Sequence, residues 1–166
     1  MAWLITAAVL AADILIKRYA ATAWADKPFV IIKGALELTY VENRGAAWGM
    51  LQGARIGFIV LTVLFLCVSV VFYIKGRKEL STFSCVILAL IFAGALGNLI
   101  DRILYGYVRD MIYFSLINFP VFNIADSSIV IGAGLLIIQT LFCKTGIFDV
   151  IEKHWPRKRT EKKDEH

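Results

Sequence analysis

From residue 56 to residue 74 the chain runs for about nineteen residues without a charged side chain. A helix of that length is about 30 Å long, the thickness of the hydrocarbon core of a bilayer. Three further apolar runs accompany it, over residues 2–21, 83–100 and 122–143. A soluble domain would be about half apolar with about a quarter of its residues charged. This 166-residue chain is 59% hydrophobic and 19% charged. The expected fold is an all-α polytopic membrane protein: a single membrane domain (1–166) of four transmembrane helices. A small extracytoplasmic β-rich segment, residues 22–53, is expected between helices 1 and 2, and a basic tail over residues 144–166.

The first run carries Asp13, Lys17 and Arg18, and Ala23-Trp24-Ala25 imitates a small-x-small cleavage site. It lacks a basic leader, and charges interrupt it before that site, so a retained helix fits better than a removed signal peptide. Asp13 and Lys17, spaced i, i+4, share a helix face and can pair there, with Lys17 snorkelling to the interface. In segment 22–53 a partly alternating β-rich stretch turns at Lys33-Gly34 and ends in Asn43-Arg44-Gly45-Ala46-Ala47-Trp48-Gly49. Asn43 either caps a turn or points polar atoms at a substrate, and Trp48 suits an aromatic belt. Ala93/Gly97 and Ser128/Gly132 are small-xxx-small pairs, which favour close helix packing.

Four spans put both termini on one side, together with Lys75-Gly76-Arg77-Lys78 and the basic tail. The positive-inside rule makes that side cytoplasmic and residues 22–53 and 101–121 exterior, although Lys17 and Arg18 run against it. The net charge of +5 sits mostly at these two basic places and not on an aromatic-interleaved surface, so no nucleic acid partner is expected. Cys67, Cys85 and Cys143 lie in apolar runs without CxxC spacing and read as hydrophobic fillers.

Chemistry concentrates in residues 94–128, where Asn98, Asp101, Arg102, Asp110, Asn123 and Asp126 stand near span boundaries. A charge at the centre of a membrane helix costs roughly 2.5–3.5 kcal/mol, so such groups suggest function. Each also has a plain structural reading. Asn98, Asp101 and Arg102 share a helical face and could simply face headgroups; Asn123 and Asp126 could be a helix cap; Asp110 could be a solvated loop charge. Together they suggest more. The connection between spans three and four is short enough to bring Asp110 over the head of span four, near Asp126. Two carboxylates in contact share one proton, so one can activate water while the other donates to an oxyanion or a departing amine. The histidines, His154 and His166, lie in the tail, which leaves no Ser-His-Asp or Cys-His unit at this site. A Ser127 or Ser128 dyad with Lys17 is supported by no motif. A proton-relaying transporter and a non-catalytic membrane scaffold are the rival classes, but neither accounts for carboxylates clustered toward one face.

NRGAAWG at 43–49, GNLIDR at 97–102, Val108-Arg109-Asp110 and FNIADSS at 122–128 resemble, in order and spacing, the bacterial lipoprotein signal peptidase (signal peptidase II) family. Asp13-x-x-x-Lys17 is similar to its first box. The resemblance implies an aspartyl endopeptidase of the bacterial cytoplasmic (inner) membrane, with four transmembrane helices and an exterior β-cradle. It would remove signal peptides from prolipoproteins just before the diacylglyceryl-modified cysteine. Asp110 and Asp126 match the catalytic pair. Asn43, Asn98, Asp101, Arg102 and Asn123 match the surrounding polar residues, and Asp13 and Lys17 a supporting pair. Expected partners are the modified prolipoprotein and membrane lipid, with the chain acting as a monomer, its site toward the outer leaflet and both termini cytoplasmic. No metal or organic cofactor is implied. Two positions depart from the family pattern: Ile14 replaces the usual Gln, and Arg109-Asp110-Met111 replaces Val-Asp-Phe. Arg109 either points inward and lowers the Asp110 pKa or faces solvent.

Overall fold

The computed structural model describes residues 2–45, 53–143 and 145–156. Ala46, Ala47, Trp48 and Gly49 of the first loop box, and the tail from residue 157 with its basic cluster and His166, lie outside the described residues. The elements run α1 (Ala2–Ala23), β1 (Phe29–Ile32), β2 (Leu36–Asn43), α2 (Arg55–Gly76), α3 (Thr82–Leu104), β3 (Val108–Tyr113), α4 (Ile124–Phe142) and α5 (Ile147–His154). Helices α2, α3 and α4 are long and apolar enough to cross a membrane. Helix α1, at 22 residues, has the length, but Asp13, Lys17 and Arg18 break its apolarity.

Helix α3 is the axis of the bundle and packs against α1, α2 and α4. Small residues allow this. A Cβ on Gly94 would run into the Ala125 carbonyl oxygen, the Ser128 hydroxyl and Ile129. One on Gly97 would lie 2.7 Å from an Asp13 carboxylate oxygen, and one on Gly132 2.6 Å from Ile91. Gly94 and Gly97 thus bring α4 and α1 onto α3; of the Ala93/Gly97 pair both are buried, and Gly94 beside them makes the tightest contact. The Ser128 hydroxyl donates to the Leu90 and Ala125 carbonyls.

The sheet is not confined to segment 22–53. Its order is β1-β2-β3, antiparallel throughout, so its third strand comes from the connection between α3 and α4. β1 and β2 turn at Lys33–Ala35, where Gly34 takes φ +72°. β3 escapes a pattern search because Val108, Arg109, Asp110 and Met111 are all buried, which erases the alternation of a half-buried strand. The Phe122 carbonyl accepts from the Met111 and Ile112 amides, and the Phe122 amide donates to Ile112. These bonds stitch β3 to the residue just before the cap of α4.

The sheet covers the end of the bundle where α1 and α3 finish and α4 starts. At the opposite end Trp3 meets Tyr73 edge-on, and Ile147 and Val150 of α5 cluster with Phe72 of α2 and Ile87 of α3.

Gly94→Ala forces α4 away from α3. It is expected to lower unfolding free energy in detergent by roughly 1–3 kcal/mol, as read by thermal or denaturant unfolding. Ala at Gly134, which meets nothing within 4 Å, is the neutral control.

Candidate active site

Three side chains from three elements meet around Asn123. As N-cap of α4, its Oδ1 accepts from the Asp126 amide, and its own amide donates to an Asp126 carboxylate oxygen, a reciprocal capping box. Its Nδ2 is turned away from the helix and donates to Asp110 at 2.7 Å and to Asn98 Oδ1 at 3.1 Å. The Asn98 Nδ2 donates to the other Asp126 oxygen at 2.7 Å. Asp110 takes a second bond, at 2.9 Å, from Asn43 Nδ2, whose Oδ1 accepts from the Gly45 amide. Asn43 therefore closes a turn, as one reading had it, and its amide is directed at the Asp110 carboxylate. Each aspartate is gripped by asparagine amides, which fix its rotamer and leave one edge toward open space.

That space is a pocket of about 540 Å³. Asp110, Asp126, Asn43, Asn98 and Arg102 line its polar side, and Phe119, Pro120, Val121, Phe122, Val130 and Ile131 its apolar side. The apolar wall went unnamed in the sequence; its one signal is the Phe119-Pro120-Val121-Phe122 run before the cap. Arg102 is half-buried, with its guanidinium 3.4 Å from the Asn98 and Gly45 carbonyls and 4.9 Å from the centre of the Phe58 ring. Asp110 lies on β3, outside the membrane-spanning helices. Burial first, and the neighbouring Asp126 carboxylate second, push its carboxyl up to about 7, against the pull of Asn43 and Asn123.

Behind Asn98 lies a second layer. Lys17 is fully buried, with Nζ 2.7 Å from Asp13, 3.3 Å from Asp101 and 3.1 Å from Asn98 Oδ1. It does not snorkel, because two carboxylates and an amide oxygen surround its ammonium inside the bundle. The other Asp13 oxygen accepts from the Ala125 amide at 2.9 Å. Asp101 does not face headgroups. It accepts from two Arg109 guanidinium nitrogens, Nη2 at 2.7 Å and Nε at 3.2 Å, and from the Arg109 amide at 3.0 Å. Arg109 thus neither faces solvent nor points at Asp110; it closes a neutral cluster of two acids and two bases and lies over the Tyr105 ring. Asn98, Asp101 and Arg102 lie close on α3 but diverge: Asn98 serves the aspartates, Asp101 the ion cluster, Arg102 the pocket wall.

The serine readings lose their geometry. Ser127 donates to the Asn123 carbonyl and Ser128 to backbone carbonyls, while Lys17 is held by its acids. His154 contacts Glu79 at the far end of the bundle.

A family model described as Signal peptidase (SPase) II matches residues 5–142. The chain belongs to the signal peptidase II family. It is similar to a lipoprotein signal peptidase of Halothermothrix orenii, 53% identical over 112 residues, covering 65% of this chain and 72% of that protein. It is also similar to one of Staphylococcus haemolyticus, 40% identical over 141 residues, covering 83% and 89%. A solved bacterial membrane enzyme superposes with a TM-score of 0.77 at 41% identity, covering 84% of this chain and 87% of that one. As a signal peptidase II the chain is a membrane-embedded peptidase with several membrane-crossing helices.

Two outcomes follow from this signal peptidase II geometry. Arg109→Met strips Asp101 of its bidentate partner and leaves the cluster with a net negative charge. A loss of about 3 kcal/mol is expected, with part of it recovered in the Arg109→Met/Asp101→Asn double variant, as measured in a four-variant unfolding cycle. The second concerns pH. An aspartate in the unfolded chain gives up its proton near pH 4, whereas Asp110 in the folded protein keeps it to about 7. Its contribution to stability is therefore complete below about pH 4 and is lost as pH rises through 7. Thermal midpoints of the wild type should fall across that window more steeply than those of Asp110→Asn.

Proposed function

We propose that this signal peptidase II is an intramembrane aspartyl endopeptidase. Its substrate is a diacylglyceryl-modified prolipoprotein, cut immediately before the lipidated cysteine. The observation that carries the reading is the pair Asp110 and Asp126, one delivered by a strand and one by a helix, both bordering one pocket and both oriented by asparagine amides. The relatives' name, lipoprotein signal peptidase, supports the substrate class.

In the proposed mechanism the pair holds one proton near neutral pH, carried by Asp110, whose carboxyl is pushed up to about 7. The ionised Asp126 takes a proton from water as the water oxygen bonds to the scissile carbonyl carbon. Asp110 donates its proton to the developing oxyanion, giving a neutral gem-diol. Return of that proton to Asp110, transfer of the Asp126 proton to the amide nitrogen and rupture of the C–N bond release the signal peptide and the new amino terminus. Asn43, Asn98 and Asn123 hold the carboxylates, Arg102 offers its guanidinium to a substrate carbonyl, and the Asp13–Lys17–Asp101–Arg109 cluster fixes Asn98. This chemistry uses no metal or organic cofactor. The apolar wall of the pocket opens beside α4, so a substrate anchored in lipid can enter sideways.

The proposal extends to topology. Helix α1 serves as a fourth span, since Asp13, Lys17, Asp101 and Arg109 balance one another's charge inside the bundle; its 22 residues reach about 33 Å. The whole chain then forms a single membrane domain acting as a monomer in the bacterial inner membrane. Lys17, being buried, ceases to count against the positive-inside rule. The sheet and the aspartates face the outer leaflet, and both termini are cytoplasmic.

With chelator present, the purified wild type is expected to cleave a diacylglyceryl-modified prolipoprotein, while Asp126→Asn and Asp110→Asn lose at least about 10³-fold in kcat. The kcat/KM profile should decline above about pH 7 as Asp110 loses its proton. Near-normal cleavage by either folded variant would overturn the dyad.

A further inference from the structure

At the end of the bundle opposite the aspartates, α5 stands off α2 to leave a groove of about 510 Å³. Cys67, Val68, Val71 and Phe72 of α2 form one wall, and Ile151 and Trp155 the other; every lining side chain is apolar. The separation is built. Ile147 and Val150 are buried against Phe72 and Ile87, and the Ile147 amide donates to Gln139, which itself donates to Ser84. Gly76 lets Val150 close on α2, since a Cβ there would sit 2.8 Å from it.

Two observations indicate what fills the groove. Its α2 wall belongs to a membrane-crossing helix whose Val68 and Val71 are exposed, so it is continuous with the lipid-facing surface. Its mouth is cationic: the Lys75 ammonium lies 5.0 Å from the centre of the Trp155 ring, and the exposed Arg77 and Lys78 follow. Of the acids nearby, Glu79 is paired with Lys153 and contacts His154, and Asp149 caps α5 through the Gly146 amide; Glu152 is exposed. An apolar trough on a membrane-crossing helix, ending beside exposed lysines and an indole, matches an acyl chain below a phosphate. We propose that this groove binds an anionic phospholipid, its acyl chain along Val68 and Val71 and its phosphate between Lys75 and Lys78.

The test measures lipid retained by the delipidated full-length protein in native mass spectrometry, with dioleoyl phosphatidylglycerol and dioleoyl phosphatidylcholine compared. The wild type is expected to retain phosphatidylglycerol about tenfold more strongly. Lys75→Gln/Lys78→Gln should reduce it to the phosphatidylcholine level, and Val71→Trp, which fills the trough, should lower retention of both lipids. Preserved prolipoprotein cleavage reports that each variant is folded. Equal retention of the two lipids by the wild type, or an undiminished preference in the folded double variant, overturns the proposal. So does competition by soluble glycerol 3-phosphate as strong as that by the intact lipid, since no trough would then be needed.

Discussion

A buried ammonium holds together the end of the bundle that carries the aspartates. Lys17 is closed off from solvent, and α1 could not be packed against α3 if that charge lacked partners. Asp13 and Asp101 supply them, Arg109 neutralises what Asp101 has left over, and the Asn98 side-chain carbonyl accepts a hydrogen bond from the ammonium. The four charged groups come from α1, α3 and β3, so the cluster fixes the mutual position of two helices and a strand. A buried pair of this kind adds little net stability compared with apolar packing, but it tolerates few alternative geometries. Its effect here is on orientation. With its oxygen pinned by Lys17, Asn98 can present only its amide protons to Asp126.

Small residues make such close packing possible. Gly94 and Gly97, three positions apart on α3, receive Ala125 and Asp13 from two different helices. The polar network then forms at the depth where three backbones are near enough for short side chains to bridge them. Asparagine and aspartate, with one methylene each, reach across without the entropy that glutamate or lysine would lose.

Much of this was legible in the sequence, and the parts that were not share a cause. The Asp13–Lys17 pairing follows from i, i+4 spacing, and the cap on α4 from Asn123-x-x-Asp126, because both are local. The depth of Lys17 is not local: its burial depends on Asp101 and Arg109, more than eighty residues away. Likewise β3 has no readable period, since it is buried on both faces, and the direction of Arg109 depends on how β3 pairs with β2. A strand side chain reverses its direction with a one-residue change of register, so no reading of Arg109-Asp110-Met111 alone could choose between inward and outward. Helix α1 is ambiguous for the same reason: its charges look exposed to lipid until their distant partners are known.

Asp110 rides on a sheet and Asp126 on a helix. The gap between the two carboxylates is therefore a coordinate of how the sheet seats on the bundle, joined through Asn43 and Asn123. On the proposed dyad mechanism, a compound that wedges the sheet away by an ångström would idle the enzyme with every residue intact. Such an inhibitor would owe nothing to mimicry of a lipidated peptide, and raising substrate concentration would not displace it.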